Sequence, residues 1–197
     1  MRASRCRFVL LILAVACVAP WRAGATQPDF QALLSEAGAR FTAPDGYRDA
    51  AVPGIEGFRF DKSFRDPQGG LQVAYAVRPL SRMKIDYNDP HSSAPNPNHI
   101  FPLVFGALGG QLSAGGHAPV REFPAGAAKK RFNADWASAT TFDLEPQLSG
   151  DFRYGFLLAM HRNNKGDIYA LFMYSDPATA KQRIGRLLAN LSFDPAP

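Results

Sequence analysis

The chain has 197 residues, 46% of them hydrophobic, with 22 Lys and Arg against 17 Asp and Glu for a formal net charge of +5. Four of the arginines (Arg2, Arg5, Arg7 and Arg22) and both cysteines (Cys6 and Cys17) lie in the first 25 residues. Without that segment 18 basic and 17 acidic residues remain, which removes any overall-charge case for nucleic-acid binding, and no thiol is left for a disulfide scaffold, a cysteine nucleophile or a cysteine-ligated metal.

Arg2, Arg5 and Arg7 precede an apolar run of about 12 residues that starts at Phe8 and is too short to span a bilayer comfortably. Ala23-Gly24-Ala25 supplies a small-residue cleavage site. The three features together predict a signal peptide over residues 1–25 and an exported single α/β domain over 26–197, periplasmic or secreted. The alternative is a lipid anchor on Cys17 within Leu13-Ala14-Val15-Ala16-Cys17, although a lipobox prefers Leu where this chain has Ala14. A domain of about 172 residues buries enough surface to fold without disulfides.

Phe30, Leu33, Leu34 and Ala37 recur at i, i+3, i+4 and i+7, with Gly38 where a helix would stop; this predicts a helix over 28–37. Residues 41–47, with Pro44-Asp45-Gly46, form a turn leading into a sheet. Strands are expected at 55–65 and 70–79, the second with one wetter face, joined by Asp66-Pro67-Gln68-Gly69-Gly70. Residues 86–99 have three prolines and no periodicity, so they read as a long loop, with plain disorder the leading reading and a binding rim the functional alternative.

Ile100, Leu103, Val104, Ala107, Leu108 and Leu112 make a helix whose other side carries Phe101 and Phe105. A helix apolar all round is expected to lie buried between the sheet and another element, or to face lipid or a partner. A short strand at 117–123, a short basic helix at 127–132 and a strand at 139–144 follow, and 146–151 turns the chain back.

The stretch 152–193 organises the rest. Two apolar runs flank Asn163-Asn164-Lys165-Gly166, and Gly166 in the left-handed position of a three-residue loop would pair Asn163 with Asp167. One face then carries Phe152, Tyr154, Phe156, Leu158 and Met160 beside Ile168, Ala170, Phe172 and Tyr174. The other carries Leu157, Ala159 and His161 beside Tyr169, Leu171 and Met173. Both faces are apolar, so these strands are expected to be central, with something packed on each side. Asp176 as N-cap and Pro177 in the first helical position open a helix whose stripe is Ala180, Ile184, Leu187, Leu188 and Leu191.

Motifs for chemistry are sparse. His91, His99, His117 and His161 show no metal-ligand spacing, and only a loop site of His91 and His99 with Asp86 and Asp89 suggests itself. His161 reads as a hydrogen-bonded structural histidine. No serine stands in a G-x-S-x-G or S-x-x-K setting, and no glycine cluster matches a phosphate-binding loop. Neither a catalytic residue, a metal site nor a cofactor is therefore assigned. The basic–aromatic cluster of Lys129, Lys130 and Arg131 with Trp136 is the candidate contact patch, since Trp and Arg are enriched in binding hot spots. Asn133 and Asp135 could orient it, and His99 is added from the loop. A solvated helix face followed by a core tryptophan is the leading reading of these residues, and the contact patch is the alternative to it.

Phe41 with Pro44-Asp45-Gly46-Tyr47, a hairpin, a middle helix, and a closing strand–strand–helix ending Leu188-Ala189-Asn190-Leu191-Ser192-Phe193 resemble the PsbP-like family. That family includes the extrinsic photosystem subunit and exported bacterial proteins of the DcrB type. The resemblance spans about residues 40–193 and implies an α+β fold, an antiparallel sheet flanked by helices in an α/β/α sandwich. It also implies a binding or accessory module, and it transfers no functional residue. The expectation is an exported, non-enzymatic domain that binds a protein or a cell-envelope component, with neither nucleic acid as a partner nor a membrane span after the leader. A hydrolase without a recognisable motif, with a site between 86–99 and 131–136, or a small-ligand or lipid carrier are the alternatives.

Overall fold

The computed structural model describes residues 29–83 and 96–195. The expected signal peptide and most of the 86–99 loop fall outside the described residues. In chain order the first half runs α1 (Phe30–Ala37), β1 (Ala39–Phe41), β2 (Arg48–Asp49), β3 (Gly54–Ile55), β4 (Phe58–Arg59), β5 (Lys62–Arg65), β6 (Leu71–Pro79) and α2 (Phe101–Leu112). The second half runs β7 (Val120–Glu122), α3 (Ala125–Phe132), β8 (Trp136–Asp143), α4 (Pro146–Ser149), β9 (Tyr154–Arg162), β10 (Gly166–Tyr174), α5 (Pro177–Leu187) and β11 (Leu191–Phe193).

Seven strands form one antiparallel sheet in the order β2-β5-β6-β10-β9-β8-β7, with β10 at its centre. The chain is an α+β fold in which this sheet is flanked by helices. One face packs against α1, α3 and α5 through a cluster that includes Phe30, Leu34, Phe132, Ile168, Phe172 and Ile184. The other packs against α2 and the β3–β4 ribbon through Phe60, Phe105, Leu112, Leu157 and Tyr169. Every residue of β10 is buried, because alternate side chains enter the two clusters in turn. β1 and β11 pair separately and join the two ends of the described domain.

The helix signals act as the sequence implies. Asp29 accepts from the amide of Gln31, and Gly38 ends α1 in the left-handed conformation at φ 60°. Asp176 accepts from Ala178 and Thr179, and Pro177 follows it in the first turn of α5. Ala180, Ile184 and Leu187 are buried, with Leu188 and Leu191 just beyond.

Five expectations are corrected. The β9–β10 pairing is displaced by two residues: Asp167 faces His161, and Gly166 faces Arg162. Asn164, at φ 60°, takes the left-handed position instead of Gly166. Gly166 stays in the strand because a Cβ there would lie 2.8 Å from the Arg78 carbonyl oxygen. A shift of two preserves the faces, except that Phe152 lies ahead of β9 and packs into the α2-side cluster.

β6 has no wet face. Gln72 is sheltered by donating to the Ala51 carbonyl (2.9 Å) and to Ser63 Oγ (3.0 Å), and Ala74 and Ala76 are fully buried. Residues 55–65 are three short strands, not one. Gly57 at φ 71° turns the β3–β4 ribbon, and Asp61 breaks the run by accepting from the amide of Val77 at 2.8 Å. Finally, among the described residues α2 is covered on one side only. Phe105, Leu108, Gly109 and Leu112 face the sheet, while Leu103 is 72% exposed.

Candidate functional site

The residues of the candidate patch divide between two places. α3 ends at Asn133, which adopts a left-handed backbone at φ 52°. Its side-chain amide donates to the carbonyls of Phe193 (3.3 Å) and Asp194, so it seats the C-terminal strand beside the helix. Lys129, Lys130 and Arg131 occupy the last turn, where cations oppose the partial negative charge of the helix terminus. With Arg40, Asn133 and Ser192 they line an open groove of about 530 Å³.

Opposite charge in this groove is limited. Arg40 pairs with Asp194 at 2.9 Å, and Lys129 lies 3.5 Å from Asp135. Arg131 lies over the Phe132 ring at 5.5 Å. Among the described residues Lys130 and Arg131 form no ion pair, so two cations stand unneutralised there.

Trp136 is on the other side of the sheet. The left-handed turn at Asn133 and the alternation of β8 send its side chain into the α2-side cluster, away from Lys130 and Arg131. It contacts Phe101 (ring centroids 4.6 Å apart) and Phe105 (6.0 Å), which makes it part of the packing under α2. Asp135 holds the β9–β10 turn: its carboxylate accepts from the amide of Asn163 at 2.9 Å. His99 is exposed in a turn at Pro97–His99, and its neighbour Asn98 exchanges hydrogen bonds with Asn164 at 2.8 and 3.1 Å. Asp135 and the His99 turn therefore grip the same hairpin tip from two sides.

Beneath that tip lies a row of side chains in which His161 is the hydrogen-bonded structural histidine expected from sequence, while Asp167 and Arg78, polar members of the same row, were missed. Strand register sets Arg78, Asp167, His161 and Trp136 side by side across β6, β10, β9 and β8. His161 and Asp167 are both buried, with Nδ1 2.6 Å from the carboxylate, and Asn163 lies 3.1 Å from Nε2. Phe101 stacks on the imidazole at 4.1 Å and closes it from solvent. Arg78 bonds to Asp61 at 2.7 Å, a carboxylate that is also buried.

Burial pushes the Asp167 carboxyl up, and the hydrogen bond from His161 and the charges of His161 and Arg78 oppose the shift only in part. Tyr169 is also pushed up, by burial first and by Asp167 second, and its hydroxyl has no hydrogen-bond partner among the described residues. His161 and Asp167 are closed to any substrate, so their part is to hold the hairpin end. The sequence did carry one signal of it: His161 and Asp167 are ionisable residues inside an otherwise apolar hairpin.

Among the described residues no group of three His, Cys, Asp or Glu could hold a metal ion. The sequence-derived loop site of His91 and His99 with Asp86 and Asp89 has three of its four members outside the described residues. No helix among the described residues is long and apolar enough to cross a membrane.

No family profile matches the chain, and no curated protein does. Among solved structures, the solution structure of cyanobacterial PsbP (CyanoP) from Synechocystis sp. PCC 6803 is similar. It shares 11% sequence identity and a TM-score of 0.41 over 81% of this chain and 89% of that one. The chain resembles PsbP in layout. No residue's role passes with a likeness of that kind.

Proposed function

We propose that the chain is an exported accessory domain without catalytic chemistry, which binds an acidic segment of a protein or envelope component. Its contact surface is the groove of Lys130, Arg131 and Asn133. The observation that carries the proposal is the charge imbalance there: Arg40, Lys129, Lys130 and Arg131 converge on one groove, and among the described residues only Asp194 and Asp135 oppose them. Export is supported by the leader features of residues 1–25.

Exposed cations act on association through long-range steering, which salt screens over about 8 Å at physiological ionic strength. The test is affinity capture from envelope extracts after in vivo crosslinking, with wild type and a K130E/R131E double variant compared at low and high salt. One partner recovered in near-stoichiometric yield, lost in the variant and weakened by salt, is the expected result. Recovery of the same partner by the variant would remove the groove from the proposal. An empty capture with wild type would remove the binding function.

A further inference from the structure

A second groove, of about 650 Å³, opens between α5, the loop from β1 to β2 and the turn from β5 to β6. It shares no lining residue with the basic groove. Its base is rigid. Arg183 donates to the Asp66 carboxylate and to the Tyr47 hydroxyl (3.3 Å), and Asp66 also accepts from the amide of Gln68 at 3.0 Å. Asp66 is only 8% exposed. The Asn190 carbonyl accepts from the amide of Thr42 at 2.9 Å, which fixes one rim to the other.

Around this base stand Asp45, Gln68, Arg186 and Asn190, brought from three segments: the loop from β1 to β2, the turn from β5 to β6, and α5 with the turn that follows it. Among the described residues their side chains make no hydrogen bond and no ion pair, so their capacity is left for a ligand or for water. Formal charge in the groove balances, Arg183 and Arg186 against Asp66 and Asp45, which disfavours a simple anion or cation. The polar groups are planar and forked (a carboxylate, two amides and a guanidinium), and each can bridge two neighbouring hydroxyls. Tyr47, Pro67 and Leu187 supply apolar wall for the C–H faces of such a ligand. The volume lies in the usual range for small-ligand clefts, about 300–1,000 Å³.

We propose that this groove binds a neutral polyhydroxylated ligand, a saccharide or the exposed end of a glycan. The test is a backbone amide NMR titration of the full chain with a panel of neutral hexose and N-acetylhexosamine tetrasaccharides, and with inorganic phosphate in parallel. Shifts confined to the segments around Asp45, Gln68, Arg186 and Asn190, saturating with at least one tetrasaccharide, are expected. Arg186→Ala and Asn190→Ala remove side chains with no hydrogen-bond partner among the described residues, so both variants should keep the wild-type spectrum elsewhere. Each should bind about tenfold or more weakly, as loss of a hydrogen bond that involves a charged or amide group implies. Three outcomes would overturn the proposal: saturation by phosphate alone, silence with every tetrasaccharide, or sugar binding undiminished in both variants.

Discussion

Gly166→Ala isolates one consequence of the central register. Gly166 is buried at the first position of β10, facing Arg162 on one side and Pro79 on the other. Its backbone is not in the left-handed region, so an alanine meets no conformational penalty there and only space decides. An added Cβ would lie 2.8 Å from the Arg78 carbonyl oxygen and 3.2 Å from both Ala37 Cβ and Pro79 Cα. Two of these three atoms are backbone, which cannot rotate aside, so β6 or α1 must move. Overpacking costs about 1–3 kcal/mol, and a rigid neighbour places this case near the top of the range, about 2–3 kcal/mol. With a urea m-value of about 2 kcal/mol/M, the midpoint should fall by roughly 1 M with m unchanged. Gly185→Ala is the internal control: that glycine is exposed in α5, with nothing within 4 Å of the added carbon. Helix propensity predicts a gain of about 1 kcal/mol and a midpoint higher by about 0.5 M. If Gly166→Ala were neutral or stabilising while Gly185→Ala behaved as expected, the close approach of β6, β10 and α1 would be wrong.

Asn133→Gly keeps the left-handed turn and loses the bonds to Phe193 and Asp194, a cost of about 1 kcal/mol. Asn133→Ala adds left-handed backbone strain for a total of about 2 kcal/mol, and equal losses in urea unfolding would show that the backbone contributes nothing. The buried Asp167 carboxyl has its folded pKa raised, so its stabilising contribution is full below the ordinary carboxylate range and is lost as pH rises through the folded value. The stability difference between wild type and Asp167→Asn should therefore shrink or reverse from acid to neutral pH, and a difference that grows would refute this sign. Asp176 is the opposite case: bonds from the amide of Ala178 first, then from Thr179, hold its carboxyl below the usual range. Asp176→Ala should lower the melting temperature at neutral pH, and the deficit should shrink as pH falls through the lowered value, because the charge-dependent part of the cap is lost there. A deficit independent of pH would deny the cap its charge.

Local chemistry was legible wherever one residue acts on its near neighbours along the chain. Gly38, Asp176 and Pro177 bound their helices as written, and the apolar alternation of 154–160 and 168–174 specified a central hairpin buried on both faces. The resemblance in layout also implied the flanked antiparallel sheet that the structure has. What a contact between distant segments decides was not legible. Gly166 looks like a turn glycine until Arg78, far away in sequence, is seen to leave no room for a side chain. Gln72 looks like a solvent-facing residue until Ala51 and Ser63 arrive to bond it.

The residues of the candidate patch are divided for the same reason. Lys130, Arg131 and Trp136 are close in sequence, but Asn133 and the pleat of β8 put a sheet between them. The groove of Asp45, Gln68, Arg186 and Asn190 has no signature in any window, because its members meet only when α5 is laid across the ends of β5 and β6. By itself, then, the sequence determined the periodic elements, their caps and which faces are apolar, since those depend on backbone geometry and on neighbours within a few residues. Only the tertiary structure decided the register, the burial of Asp167 with His161, and which polar side chains share a groove. Each of those depends on which distant backbone or side chain excludes water from the position.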